Sequence, residues 1–404
     1  MFALEDLRVA RYAAGGSMPA HVHEMPSLNL DQRGLRARQA ARLLCRLFKA
    51  HFGVSPVALP RHARRAVAAA ASHVNWRIWT PLLCGTLLQC AAWPATAQLM
   101  GGSMEVNWDP GAADCSKTAP PPLQVHRYNE QTFILRENPC ATYEAPFMYL
   151  LLGATRALLI DTGAVSDPRI MPLAQTVRSL LPAGGTLPLL VVHTHGHLDH
   201  RAGDPQFAGQ PGVEVIGTGL AELVRALQLR DWPNGVAQIE LGGRTVDVLP
   251  TPGHYPSEVS YYDRATGLFF SGDFLLPGRL LIADKAQDLA SARRAAQFVA
   301  GRPVSHVLGG HIELDESGQT FLGEHYHPHE RPLQLAKEDL RSLPDIVSGF
   351  NGFYGRHGDY VLENQNRVLA AFAAVLLALL SAAVLAVRAL LRRRRRKRAA
   401  LGGA

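Results

Sequence analysis

From Gln98 to about Glu330, short apolar runs alternate with turn signals and longer amphipathic stretches. Thr132–Leu135, Phe147–Leu152 and Ala157–Ile160 read as strands, punctuated by Asn-Pro and Gly signals. The periodicity then predicts a helix over Ile170–Leu181, strands at Leu189–Val192 and Val213–Ile216, and a helix over Gly219–Leu229. Strands follow at Thr245–Leu249, Glu258–Tyr262 and Gly267–Phe270, then a helix over Leu289–Ala300 and a last strand at His306–Leu308. Strands and helices mixed in this order predict an α+β fold, with sheets covered by helices and polar residues emerging at strand ends. Residues 331–367 read as a short helix around Leu335–Leu343 and a Gly-rich linker. No internal repeat is present.

Beyond the linker the pattern changes character. Val368–Val387 is twenty residues without a charge, about 30 Å of helix at 1.5 Å per residue, which matches a hydrocarbon core. Arg388, Arg392–Arg396, Lys397 and Arg398 follow, a cluster expected to stay in the cytoplasm against anionic headgroups. The body should then lie on the periplasmic or extracytoplasmic side. A second signal agrees: Arg61, Arg64, Arg65 and Arg77 precede the apolar run Ile78–Trp93, and Ala95-Thr96-Ala97 offers a cleavage signature before Gln98. The expected organisation is a leader over residues 1–73, read as either an over-extended gene start or an unusual cytoplasmic leader, and a signal-peptide-like segment 74–97. A folded domain 98–335, a helix and linker 336–367, a transmembrane helix 368–387 and a basic tail 388–404 complete it.

Charge sharpens this division. The 404-residue chain has a formal charge of +7, from 41 Lys and Arg against 34 Asp and Glu, but the excess sits at its ends. Setting aside residues 1–73, Arg77 and the eight basic tail residues leaves 98–387 with a net charge of −9. A groove tracking phosphates needs a basic body, so nucleic acid is not an expected partner. The expected partners are a small-molecule substrate and membrane lipid. With 47% hydrophobic residues and five cysteines, neither a disordered chain nor a disulfide-dense miniprotein is indicated. Removing the leader leaves Cys115 and Cys140, which form either one disulfide in an oxidising compartment or two buried thiols.

The chemistry concentrates where strands end. Leu189–Val192 runs into His193-Thr194-His195-Gly196-His197-Leu198-Asp199-His200. Residues two apart on an extended segment project from the same side, so His195 and His197 can grip one ion while Asp199 and His200 face another. Three later strand ends add His254 in Thr251-Pro252-Gly253-His254, Asp273 in Ser271-Gly272-Asp273, and His311 in Gly309-Gly310-His311. Asp161, ending an earlier strand, is a candidate carboxylate for orienting a ligand. Nitrogen and oxygen donors without cysteine suit two divalent ions, zinc by preference, with iron or manganese also compatible.

At these residues the sequence resembles the metallo-β-lactamase superfamily, from about residue 130 to 315. The resemblance implies a four-layer αβ/βα sandwich with a dinuclear site in the cleft between the sheets. It places His195, His197 and His254 on the first metal, Asp199, His200 and His311 on the second, and Asp273 as the bridge. True β-lactamases carry Cys or Ser where this chain has Asp273, whereas glyoxalase II, RNase Z, lactonases and phosphodiesterases of the family carry a bridging carboxylate. The implied function is a membrane-anchored hydrolase that uses a metal-bridging hydroxide to cleave an ester, thioester, lactone or related bond, with Asp199 assisting proton transfer. β-Lactam hydrolysis and an iron-dependent oxidoreductase of the sulfur-oxidation type are the alternatives. RNase Z fits poorly with an acidic, exported body, and the glutathione-binding basic residues of glyoxalase II have no identifiable counterpart after His311.

Other residues carry weaker claims. His193 lies one step back inside the strand and reads as a packed, hydrogen-bonded histidine. Tyr261 and Tyr262 read as strand and core, with an oxyanion donor as the alternative. Glu324, His325, Tyr326, His327, His329 and Glu330 read as a polar loop, with Pro328 breaking any regular ligand spacing.

Overall fold

The apolar runs pair into two six-stranded sheets in a computed structural model that describes residues 99–118, 120–321 and 323–401. The leader 1–73 and the signal-peptide-like segment 74–97 lie outside the described residues. The first sheet takes β1 (Leu123–Asn129), β2 (Thr132–Glu137), β3 (Phe147–Leu152), β4 (Ala157–Ile160), β5 (Leu189–Val192) and β6 (Val213–Val215) in that order. β1 to β4 run antiparallel; β5 and β6 join in parallel. β4 and β5 are buried on both faces, the reason their sequences are continuously apolar. Between them lie α1 (Leu173–Leu180) and the single turn α2 (Pro182–Gly185). α1 is shorter than the predicted Ile170–Leu181, because Pro172 stands at its N-cap and Leu181 is extended.

After β5 come α3 (Leu198–Arg201) and, beyond β6, α4 (Leu220–Ala226). The second sheet is ordered β13-β12-β10-β9-β8-β7, from β7 (Ala237–Glu240), β8 (Thr245–Pro250), β9 (Val259–Asp263), β10 (Leu268–Gly272), β12 (His306–Gly309) and β13 (Gln334–Leu335). The inner faces of the two sheets share one core, in which Ile134, Tyr149 and Val192 meet Val248, Tyr261 and Phe270. The outer face of the first sheet is covered by Leu173, Ala174 and Val177 of α1. The outer face of the second is covered by α5 (Lys285–Ala300) and α6 (Lys337–Gly349). Helix, sheet, sheet, helix is the four-layer α+β sandwich expected from the resemblance. α5 begins one turn before the predicted Leu289, because Asp284 accepts from Ala286 N and Gln287 N and caps it.

Residues 336–367 are not a helix and linker. α6 runs on to Gly349, and a third sheet follows, ordered β11-β15-β14, from β11 (Arg279–Leu281), β14 (Tyr354–His357) and β15 (Tyr360–Glu363). α7 (Gln365–Leu401) begins two residues after β15. Within its segment Gln365–Arg396 an 18-residue stretch has a mean hydropathy of 2.8 and no burial inside the protein, so by length and composition the helix can cross a membrane. Cys115 and Cys140 are joined in a disulfide across a Cα–Cα distance of 5.5 Å.

Candidate metal centre

The predicted ligands lie beyond the C-terminal ends of strands, Asp199 and His200 on the single-turn α3 that follows β5, and topology brings those ends to one edge. β4 and β5 are parallel neighbours; β10 and β12 are parallel, and β8 shares their direction because β9 runs antiparallel to both β8 and β10. The two sheets are laced at that edge. Phe147 N donates to Gly310 O at 2.8 Å, Val259 N to Thr194 O at 2.9 Å, and the Tyr261 hydroxyl to His193 O at 2.7 Å. Tyr261 is thus a buried brace for the ligand loop, and Tyr262 donates to Pro303 O at 2.7 Å; neither is an oxyanion donor. His193 is buried and held by Asp204 Oδ1 at 2.8 Å and Ile216 O at 3.0 Å.

The seven predicted residues converge as two groups. His195, His197 and His254 bring one candidate ligand atom each to within 4.8 Å of one another, as do Asp199, His200, Asp273 and His311. In the first group His197 Nδ1 lies 2.9 Å from His195 Nε2 and 3.0 Å from His254 Nε2. In the second, His200 Nε2 lies 3.2 Å from His311 Nε2. Asp199 Oδ2 is 3.2 Å from His311 Nε2 and 3.5 Å from His200 Nε2. Asp273 stands between the groups. Its Oδ1 lies 3.4 Å from His200 Nε2 and 3.7 Å from His311 Nε2, while its Oδ2 lies 3.9 Å from His195 Nε2 and 3.7 Å from His254 Nε2.

The far nitrogens of four of the five histidines are occupied, which decides which of their nitrogens face inward. His254 Nδ1 donates to Leu281 O at 2.8 Å and His311 Nδ1 to Glu144 O at 2.7 Å. His200 Nδ1 donates to Asp161 Oδ2 at 3.0 Å. His195 Nδ1 meets Thr194 Oγ1 at 3.2 Å, and that hydroxyl donates on to Asp161 Oδ2 at 2.9 Å. In its neutral form each of these imidazoles turns an Nε2 lone pair toward another lone pair or a carboxylate, a conflict that a proton or a cation relieves. Asp273 Oδ1 is buried without a hydrogen-bond partner. Such a set is unfavourable by itself and fits two divalent cations placed among the donors.

Charge within the pocket is separated. Burial pushes the Asp199 and Asp273 carboxyls up, but the imidazoles of His200 and His311 outweigh it and hold both well below the usual carboxylate range. Burial disfavours the charged form of His311, yet Asp273 and Asp199 raise it to about 9. Burial and the neighbouring His200 push His195 far down. The second group thus holds protons that a cation would displace.

Close backbone approach makes the packing possible. A Cβ on Gly310 would stand 2.6 Å from Asp273 Oδ1 and 2.7 Å from His200 Cε1. Gly272, at φ +54°, would place one 2.6 Å from Thr194 Cβ. Tyr255 was not anticipated. Its ring packs against His197 at 4.9 Å and His195 at 5.7 Å between centroids, and a Cβ on Gly196 would meet its hydroxyl at 2.6 Å. The aromatic position directly after His254 was the only signal. The histidine-rich loop is a scaffold: Glu330 forms a buried bidentate ion pair with Arg136 at 2.5 and 2.7 Å, His327 Nδ1 lies 3.2 Å from Glu330, and His325 Nδ1 donates to Pro139 O at 2.6 Å.

The profile of the metallo-beta-lactamase superfamily matches residues 142–311. A hydroxyacylglutathione hydrolase from Anaeromyxobacter dehalogenans is 34% identical over 113 residues, 28% of this chain and 40% of that protein. An acyl-coenzyme A thioesterase from Gallus gallus is 28% identical over 205 residues, 41% of this chain and 72% of that protein. The chain therefore spans well under half the length of the first of these relatives. Among solved structures, a metallo-beta-lactamase from Pontibacter korlensis covers 56% of this chain and all of its own, at 18% identity and a TM-score of 0.41.

Proposed function

The chain belongs to the metallo-β-lactamase superfamily, and on that footing we propose that it is a membrane-anchored metal-dependent hydrolase of thioesters or related acyl esters. One observation carries the reading: the two oxygens of Asp273 face separate histidine groups, in which the far nitrogens of His195, His200, His254 and His311 are already engaged. His195, His197 and His254 would hold one divalent cation, Asp199, His200 and His311 the other, and Asp273 both. When bound, two such ions, zinc by preference, lower the pKa of water and polarise a carbonyl oxygen.

The remaining work falls to the chain. Asp199, with Oδ2 turned toward His311, orients the attacking water and accepts its proton. Asp161 fixes the orientation of His200 directly and of His195 through Thr194. Tyr255, at the first histidine group, positions the acyl carbonyl. Thioesters are favoured because one similar protein is named an acyl-coenzyme A thioesterase and another a hydroxyacylglutathione hydrolase, and because a carboxylate stands where β-lactamases carry Cys or Ser.

The apolar segment of α7 is the anchor, with the arginine-rich end in the cytoplasm and the catalytic domain on the extracytoplasmic side. An acyl-ester and thioester panel on full-length protein in detergent, with measured metal content, tests the activity. Hydrolysis lost in His195→Ala is expected, and turnover that survives the substitution would remove the proposed role. Dominant iron with oxygen consumption would favour the oxidoreductase alternative. A reporter fused after Ala404 should behave as cytoplasmic; a periplasmic signal reverses the orientation.

A further inference from the structure

No stretch of free chain separates the metal centre from the apolar helix. His254 Nδ1 donates to Leu281 O, the last residue of β11. β11 pairs in parallel with β15, Leu281 opposite Glu363, and Ile282 N donates to Glu363 O at 2.8 Å. Asn364 then joins strand to helix. Its Nδ2 donates to Ala283 O at 3.0 Å, its N to Phe353 O at 2.9 Å, and its Oδ1 accepts from Arg367 N at 3.0 Å. Arg367 Nη1 donates to Gly352 O at 3.0 Å, which locks the first turn of α7 to the β14–β15 hairpin. One hydrogen bond, one strand spacing of about 4.8 Å and two residues of chain separate the His254 ring from Gln365, roughly 15 Å in all.

Apolar side chains stand in the open at both ends of this connection. Phe353 and Tyr354, 44% and 46% exposed, flank Asn364, where the apolar helix begins. Aromatic side chains of this kind settle at the headgroup level of a bilayer. Leu198, 68% exposed, lies between His197 and Asp199, and Tyr143, 47% exposed, adjoins Glu144, whose carbonyl holds His311. An apolar rim on a pocket of histidines and carboxylates suits an acyl chain better than a hydrated substrate.

We propose that the cleft and the membrane helix form one rigid unit that docks on the bilayer through Phe353 and Tyr354 and takes long-chain acyl thioesters presented from the lipid surface. The inference rests on the hydrolase reading for its substrate class, but the docking is testable without it. Full-length protein is reconstituted in phosphatidylcholine vesicles, and a Phe353→Trp variant is compared with the unaltered chain using lipids brominated near the headgroup. Extra tryptophan emission that these lipids quench is expected; extra emission insensitive to them overturns the docking.

The second arm inserts twelve Gly and Ser residues between Asn364 and Gln365, a flexible spacer of about 19 Å root-mean-square length. Palmitoyl-coenzyme A and acetyl-coenzyme A are then compared as substrates. The expected result is a fall of at least tenfold in the palmitoyl-to-acetyl ratio of kcat/KM with acetyl turnover unchanged; an unchanged ratio overturns the proposed coupling. If the unaltered protein cleaves neither thioester, the thioester hydrolase reading fails instead, and quenching alone decides the docking. The same holds if the insertion abolishes acetyl turnover and metal content together.

Discussion

Replacing Asp161 by Asn changes one atom at the hub of the second ligand group. Asp161 sits at φ +65°, a left-handed conformation that Asn also accepts, so the backbone has no reason to move. Its Oδ1 accepts from Thr194 N at 2.7 Å, and an amide oxygen can do the same. The difference falls on the other side. Oδ2 accepts from His200 Nδ1 at 3.0 Å and from the Thr194 hydroxyl at 2.9 Å, and an NH2 group there can only donate. His200 is then driven to the tautomer with its proton on Nε2, the nitrogen that faces Asp199, Asp273 and His311. Loss of an orienting partner of this type costs about 10- to 100-fold in metal affinity, or about 1.4–2.7 kcal/mol. The loss should fall mainly on the second ion. Competition against a chromophoric chelator resolves the two affinities. A second-ion affinity unchanged in Asp161→Asn, with circular dichroism matching the unaltered protein, would refute the reasoning.

Three further predictions concern stability. Arg136→Ala strands a buried Glu330 carboxylate and should cost about 3–5 kcal/mol in denaturant unfolding, far more than loss of an exposed pair such as Arg169 with Asp167. Cys115→Ser opens the loop closed between Cys115 and Cys140 and should cost about 3 kcal/mol, with dithiothreitol reproducing the effect on the unaltered protein. Burial, and secondarily Asp284, pushes the Asp288 carboxyl up to about 8, so the folded state keeps a proton that the unfolded chain releases near pH 4. Its contribution therefore falls as pH rises from about 4 to about 8. Asp288→Asn should flatten that slope and be the more stable protein at pH 9, by a few kcal/mol; parallel stability curves would contradict it.

The folded core was legible where burial is two-sided. β4 and β5 carry uninterrupted apolar runs because helices and the second sheet cover both faces, and the seven donors stand out because each ends such a run. β7 escaped notice: its four residues alternate buried and exposed over too short a span to rise above the turns around it. The β11–β15–β14 sheet escaped for a different reason. Its glycines at 352, 355 and 358 mimic a linker, and its pairing joins residues some eighty positions apart, which no local pattern encodes. The pairing of Cys115 with Cys140 likewise depends on a Cα separation that only the fold sets. Tyr261 kept an oxyanion-donor alternative because a buried tyrosine bracing a ligand loop and one facing a substrate share the same sequence context.

X-ray absorption at the metal edge of the purified protein, combined with its metal content, tests the central claim most directly. Close to two cations per chain, bound by nitrogen and oxygen donors and separated by roughly 3.5–4 Å, is the predicted result. A single isolated cation, or a preparation that stays metal-free in the presence of zinc, iron and manganese, would contradict it.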